Sequence, residues 1–292
     1  ASARRVLHDP ATADGLMHVL SFPDSSSDRL HTPILRALHE TCDSGTLANL
    51  LAVEDAANVF WREALSRNKD VLGPSRSLLG RAIAHAGCRK RLDLKARPRK
   101  LVDLVKAATE AAPTVEQYTL APPDDDEDGA DGVRRVEGDD TALAFTVRDI
   151  SALDAPAKAM LADVCVGLTD ECAANAELAE QLHRLDFWRH AVPMVLAEPP
   201  LSAAALRLLR VATGAVSSLD VAARACELGL PLWLLGLREP SEASARFNRS
   251  VAATLAEQPA RDDALQLLGY VSGQSTFHAT ADLFEPAVVL RA

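Results

Sequence analysis

The feature that most constrains the fold is a repeat near 40 residues in the C-terminal half. Residues 191–214 (AVPMVLAEPPLSAAALRLLRVATG) and 229–256 (GLPLWLLGLREPSEASARFNRSVAATLA) follow one plan. Each opens on a proline, Pro193 or Pro231, followed by a short run of large apolar residues. Each then passes through a Pro/Ser/Glu turn into a longer Ala-rich stretch carrying two arginines. Pro193 and Pro231 lie 38 residues apart, while Arg207 and Arg246, and likewise Arg210 and Arg249, lie 39 apart. Such a period is that of helical solenoids, in which neither helix of a unit can bury its apolar face alone and stacked neighbours complete the core. Proline suits the opening because its missing N–H has no partner in a first helical turn anyway. In the longer stretches, Leu206, Leu209 and Val211, and then Val251 and Leu255, recur at helical spacing.

Composition agrees with helices. The chain is 48% hydrophobic but only 4% aromatic, so its apolar content is mostly Leu, Ala and Val, and Ala and Leu favour helix over strand. Further helices are expected around residues 15–20, 33–42, 99–111 and 156–187, with residues 282–290 beginning another unit. The reading is therefore an all-α, armadillo- or HEAT-like α-solenoid with an acidic disordered insertion. Three regions follow: an N-terminal helical block over 1–120, the flexible insertion over 121–140, and armadillo-like repeats over 141–292. Strand is expected only at 141–150 (TALAFTVRDI), where a helix start is the alternative, and a sheet of three or more strands would end the reading of the chain as a solenoid. The chain begins at Ala1 and so reads as a processed product or an excised part of a longer protein. Arg4 and Arg5, in acid-poor residues 1–8, leave a transit peptide open.

The insertion carries most of the charge. Residues 124–140 hold nine acids against Arg134 and Arg135, a local −7 within a net −10, and no general affinity for nucleic acid is indicated. The opposite charge gathers in Arg89–Lys100 (RKRLDLKARPRK), with seven cations and one acid. That run reads as a solvated helix face, an import signal, an anionic-lipid contact, or a tether to the acidic segment.

Residues with catalytic or metal-binding chemistry are scattered. Cys42, Cys88, Cys165, Cys172 and Cys226 form no CxxC pair and lie among Leu and Ala, as buried reduced thiols do. His183, Asp186 and His190 in HRLDFWRH offer a zinc-like ligand set, but at a junction between repeats where polar residues belong. His8-Asp9-Pro10 has the wrong order for the signature tripeptide of J-domains. There is no nucleophile elbow, dinucleotide-binding fingerprint or P-loop, and His85 near Cys88 reads as a helical-neighbour coincidence. No enzymatic activity, cofactor or metal is expected.

The binding expectation rests on Arg207, Arg210, Arg246 and Arg249. Each pair is spaced i, i+3, and residues one repeat apart lie on adjacent helices about 10 Å apart, so four guanidinium groups can form a ladder that grips an acidic peptide. The alternative is that they solvate the outer face or pair with Glu242 and Asp220.

The stretch Ala205–Gln258, with ALRLLRVATG, CELG, LPLWLLGL and SVAATLAEQ, resembles the armadillo-like region of the large endosomal J-domain protein of the receptor-mediated-endocytosis (GRV) type. Asp55–Trp61 (DAANVFW) is similar to that family's acidic, apolar, Trp-then-polar segment. The resemblance covers about a quarter of the chain and includes no J-domain. It implies part of an endosome-associated cytoplasmic scaffold in vesicle trafficking, whose parent recruits Hsp70 and the endosomal sorting machinery. The partners expected are other proteins or acidic peptide segments, with no specific nucleic acid and at most peripheral membrane contact. The alternatives are a nuclear-transport or signalling armadillo adaptor, or a structural subunit of a mitochondrial or ribonucleoprotein assembly.

Overall fold

Asp9 and Pro10 begin the first helix. The Asp9 carboxylate accepts from the Thr12 backbone N–H at 3.0 Å and from its hydroxyl at 2.9 Å, and Pro10 takes the first helical position. The His-Asp-Pro tripeptide thus ends in a helix start of N-cap and proline. The computed structural model describes residues 9–22, 28–66, 68–120, 133–136, 139–215, 219–235 and 242–272. They are predominantly helical. The chain divides into two compact units: 1–108 with 154–170, and 109–153 with 171–292. The sequence places its division at the acidic insertion instead.

In the first unit α1 (Pro10–Ser21), α2 (Asp28–Thr41), α3 (Ser44–Leu50) and α4 (Ala56–Ala64) precede α5 (Lys69–Ala84) and α6 (Ala86–Leu92). A 3-10 turn, Leu94–Ala96, leads to α7 (Pro98–Thr109), and α8 (Ala155–Ala174) contributes its residues up to Asp170. Helices α2, α3, α4 and α6 pack on α5, and α1 covers α2, α3 and α4. Leu20, Leu50, Trp61, Leu78, Leu79 and Ile83 are fully buried, each large aliphatic side chain contributing about 1.5–3 kcal/mol by leaving water. Helix α8 crosses α5 without a spacer. A Cβ on Gly167 would lie 2.2 Å from the Ile83 carbonyl oxygen, and one on Gly80 would lie 3.0 Å from Met160 Cγ.

Arginines close the helix ends of this unit. The last carbonyls of a helix have no partner within it and carry the negative end of its dipole, so a guanidinium reaching in from another turn satisfies both. Arg62 reaches the Leu20 and Ser21 carbonyls at the end of α1. Arg81 reaches His39 and Cys42 at the end of α2, at 3.2 and 3.0 Å. Arg76 donates to Ala64, the last residue of α4, at 3.1 Å. Arg89 is buried and donates to Ile83 and Ala84 at the end of α5, at 2.9 and 3.0 Å, and to Asp170 at 3.0 Å. Beside Arg62, buried Glu63 accepts from that guanidinium at 2.8 Å and faces buried His31 Nδ1 at 3.5 Å; His31 Nε2 lies 3.2 Å from the Val19 carbonyl.

The second unit opens with a sheet, β1 (Thr114–Leu120), β2 (Val133–Val136) and β3 (Asp139–Arg148), all antiparallel in the order β1-β3-β2. Thr114 pairs with Arg148 and Leu120 with Ala142, while Val133 pairs with Phe145, and the ladder is irregular after Arg135. At its base the Asp149 N–H donates to the Pro113 carbonyl at 2.9 Å, and Arg148 donates to the Ala112 carbonyl at 3.1 Å. The expected strand at 141–150 is β3, but the expectation of almost no strand elsewhere is overturned. TVEQYTL alternates and is rich in Thr, Val and Tyr, and once β3 offers a partner its pattern extends as strand rather than linker. Residues 133–136 and 139–140 likewise belong to strands and not to a loop, whereas 121–132 and 137–138 lie outside the described residues. The three-stranded sheet therefore ends the reading of the whole chain as one solenoid, and what stands is a predominantly helical fold.

After a 3-10 turn, Ile150–Ala152, the expected helix at 156–187 is interrupted. Asn175 ends α8, and its side chain accepts from the Glu177 N–H at 3.2 Å to cap α9 (Ala176–Arg184). Next come α10 (Trp188–Ala191), the 3-10 segment Val192–Leu196, α11 (Leu201–Ala215), α12 (Leu219–Glu227), α13 (Leu230–Leu234), α14 (Glu242–Leu255) and α15 (Gln258–Val271). The two repeats thus appear as a short element followed by a long helix, Val192–Leu196 before α11 and α13 before α14, with Pro193 and Pro231 in the opening turns. Helix α15 packs on α11, α12, α13 and α14, and Trp188, Leu206, Leu209, Trp233, Phe247 and Leu267 form the buried core. Gly229 ends α12 at φ 78°, a left-handed conformation that favours glycine. The turn at 23–27 and the segment 282–290 lie outside the described residues.

Candidate functional site

Of the zinc-like trio, Asp186 and His190 are engaged within the fold, whereas the buried Nδ1 of His183 has no hydrogen-bond partner among the described residues. Asp186 stands at φ 55° past the end of α9, where its N–H donates to His183 and the Phe187 N–H to Leu182, a left-handed helix stop. Both of its carboxylate oxygens face Arg224 of α12, at 3.1 and 3.2 Å. His190 Nδ1 lies 3.2 Å from the Thr109 hydroxyl. Among the described residues no three His, Cys, Asp or Glu side chains gather with metal-ligand geometry.

Cys88 Sγ does meet His85 Nδ1, at 3.5 Å, a contact that the i, i+3 spacing on α6 allows. The thiol is fully buried, it also faces the Ser44 carbonyl at 3.6 Å, and burial pushes it up, with Arg91 only partly offsetting the shift. A nucleophilic cysteine needs the opposite, a lowered and accessible thiol. The other four are also buried, and none is in a disulfide. Burial pushes Cys42 up to about 11 and Cys165 and Cys172 to about 12.

Two of the four repeat arginines are engaged within the chain. Arg210 Nε lies 2.5 Å from Asp263 of α15, and Arg246 Nη2 lies 2.5 Å from buried Asp149, which also accepts from the Ser151 hydroxyl. Among the described residues the partners are Asp263 and Asp149 rather than Glu242, because α15 and the base of β3 bring carboxylates that sequence spacing does not place nearby, while the Asp220 side chain lies outside the described residues. Arg207 and Arg249 are exposed and make no ion pair among the described residues. The four guanidinium groups are accordingly a free pair and a tied pair.

The run 89–100 is folded. It passes from α6 through Leu94–Ala96 into α7, with Leu92 and Leu94 buried, so its cations are displayed on a shaped surface. Arg89 is withdrawn from it as the cap of α5. Lys90, Arg91, Lys95 and Arg99 are exposed, Arg97 and Lys100 half-buried.

No family model matches this chain, and neither does any curated protein. Among solved structures, it is similar to two engineered proteins from the Northeast Structural Genomics Consortium. One is 13% identical with a TM-score of 0.44, covering 93% of this chain and 97% of its own. The other is 12% identical with a TM-score of 0.42, covering 90% and 99%. Among the described residues no helix is long and apolar enough to cross a membrane.

Proposed function

We propose that this chain is a non-enzymatic, protein-binding scaffold whose C-terminal half carries armadillo/HEAT-like helical repeats. The observation that carries the reading is how its polar side chains are used. Asp149, Asp186, Arg224, Arg210 and Arg89 join one element to another, and burial makes Cys42, Cys88, Cys165 and Cys172 hard to ionise. Arg207 and Arg249, by contrast, stand exposed on the long helices of successive repeats. Arginine on a helical surface suits recognition of carboxylates, since its planar fork makes paired charge-assisted bonds at any physiological pH. The resemblance of Ala205–Gln258 to the endosomal J-domain family extends the proposal to a cytoplasmic, endosome-associated scaffold in vesicle trafficking, with Hsp70 and the sorting machinery as partners through a longer parent.

The test is site-directed photo-crosslinking from positions 207 and 249 of the full chain in native extract. Discrete protein adducts are expected from both, and Arg207→Glu should suppress the adduct formed from position 249. Crosslinking no stronger than from exposed Gln266, with no response to charge reversal, would contradict the reading.

A further inference from the structure

Charge is divided between the two units. The first carries eighteen cationic and fifteen anionic side chains, the second thirteen and twenty-six. Residues 89–106 alone hold eight cations against Asp93 and Asp103, so the rest of the first unit is net acidic and its surplus sits in this one stretch.

We propose that the corner between α6 and α7, formed by Lys90, Arg91, Lys95, Arg97, Arg99 and Lys100, is a docking surface for an acidic segment of a partner protein. The proposal rests on the protein-binding reading and adds a second site to it, with its partner's chemistry. Elsewhere in this unit Arg62, Arg76, Arg81 and Arg89 each satisfy helix-end carbonyls. The six corner residues have no carboxylate partner among the described residues, and Asp93 and Asp103 are the acids nearest them in sequence. The placement also runs against the helix dipole. Arg99 and Lys100 lie in the first turn of α7, which contains no acid, where negative charge is favoured. Burial and the neighbouring Arg97 lower Lys100 from the usual lysine value, as expected where cations crowd without a counterion. An acidic segment relieves both conditions at once.

The surface favours a peptide over other polyanions. Among the described residues the exposed large apolar side chains are Phe22, Leu30, Val166, Leu265 and Tyr270, none of them in 86–109. The corner therefore offers no wedge for a bilayer and no aromatic platform for bases. A membrane or duplex also presents its charge over many Debye lengths of about 10 Å, and so meets a chain of net −10, whereas a short acidic segment meets only the local surplus.

The test titrates the full chain with a fluorescent oligoglutamate peptide, with phosphatidylserine–phosphatidylcholine vesicles and a mixed-sequence DNA duplex in parallel. Peptide binding should weaken steeply between about 50 and 200 mM salt. It should fall about tenfold or more in Lys90→Glu/Lys95→Glu/Arg99→Glu, and less in the Gln counterparts, which guard against misfolding together with an unchanged circular dichroism spectrum. Arg36→Glu/Lys69→Glu, exposed positions of the same unit outside the corner, should leave it unchanged. Binding that survives both corner variants, or that falls as far in the Arg36/Lys69 variant, overturns the proposal. Tighter binding to vesicles or duplex than to peptide overturns the assigned partner. None of these outcomes bears on the crosslinks from positions 207 and 249, so the two readings fail separately.

Discussion

At the scale of single residues, the sharpest constraint is Gly167, where α8 meets the Ile83 carbonyl. Gly167→Ala is expected to destabilise the protein by about 1–3 kcal/mol or more, because the obstacle is backbone and cannot rotate away. Gly15, exposed within α1 with nothing within 4 Å of an added Cβ, should respond oppositely, Gly15→Ala stabilising by about 0.5–1 kcal/mol. Equilibrium urea unfolding of the two variants checks both signs. The thiols give a pH prediction. Their folded values are raised, so the unfolded chain ionises first, from near the ordinary 9.0, while Cys42, Cys165 and Cys172 stay neutral to about 11–12. The stability they contribute is fully present below pH 9.0 and is lost as pH rises toward 11–12. Unfolding free energy followed from pH 8 upward should decline, and the decline should be shallower in Cys165→Ala/Cys172→Ala. An equal slope in that variant would contradict the assignment. The buried thiols could be read from their apolar neighbours in the sequence. The roles of the arginines could not, since nothing local distinguishes Arg89, which caps α5, from Arg91, which stands in solvent.

At the scale of elements, the arginine at a helix end recurs as a way of joining parts of the chain far apart in sequence. Arg89 makes two kinds of bond that differ in strength. Its carbonyl partners are buried, while Asp170 is more than half exposed at 57% and contributes little through solvent. Arg89→Met should therefore cost about 1–3 kcal/mol, since the Ile83 and Ala84 carbonyls lose a donor, and Asp170→Asn less than about 1 kcal/mol. Thermal melts that rank the two the other way would make the ion pair the stronger of the two interactions. Periodicity and proline position made the short-then-long repeat plan legible, because those signals are local. Two things were hidden for a physical reason. The break at Asn175 depends on a capping bond that competes with continued helix, and β1 depends on pairing with β3 across a long connection. A strand whose stability comes from a distant partner leaves only a faint trace in its own residues.

At the scale of the whole molecule, two differently charged units are built from one helical vocabulary, with a sheet set into the second. The expected acidic interruption was legible as charge, but its flanks form strands, which charge does not announce. The binding surface departs furthest from what spacing implies. Of four arginines read as one ladder, two bind the molecule to itself, and the larger cationic surface lies at the α6–α7 corner of the other unit. The most direct test of the scaffold reading is amide hydrogen exchange of the full chain, alone and in the assembly recovered from native cells. A bound protein should protect residues 90–100, or the exposed positions of α11 and α14. The scaffold reading would be contradicted if those surfaces exchanged identically in both states while protection appeared around His85–Cys88 or His183–His190 on adding a small metabolite.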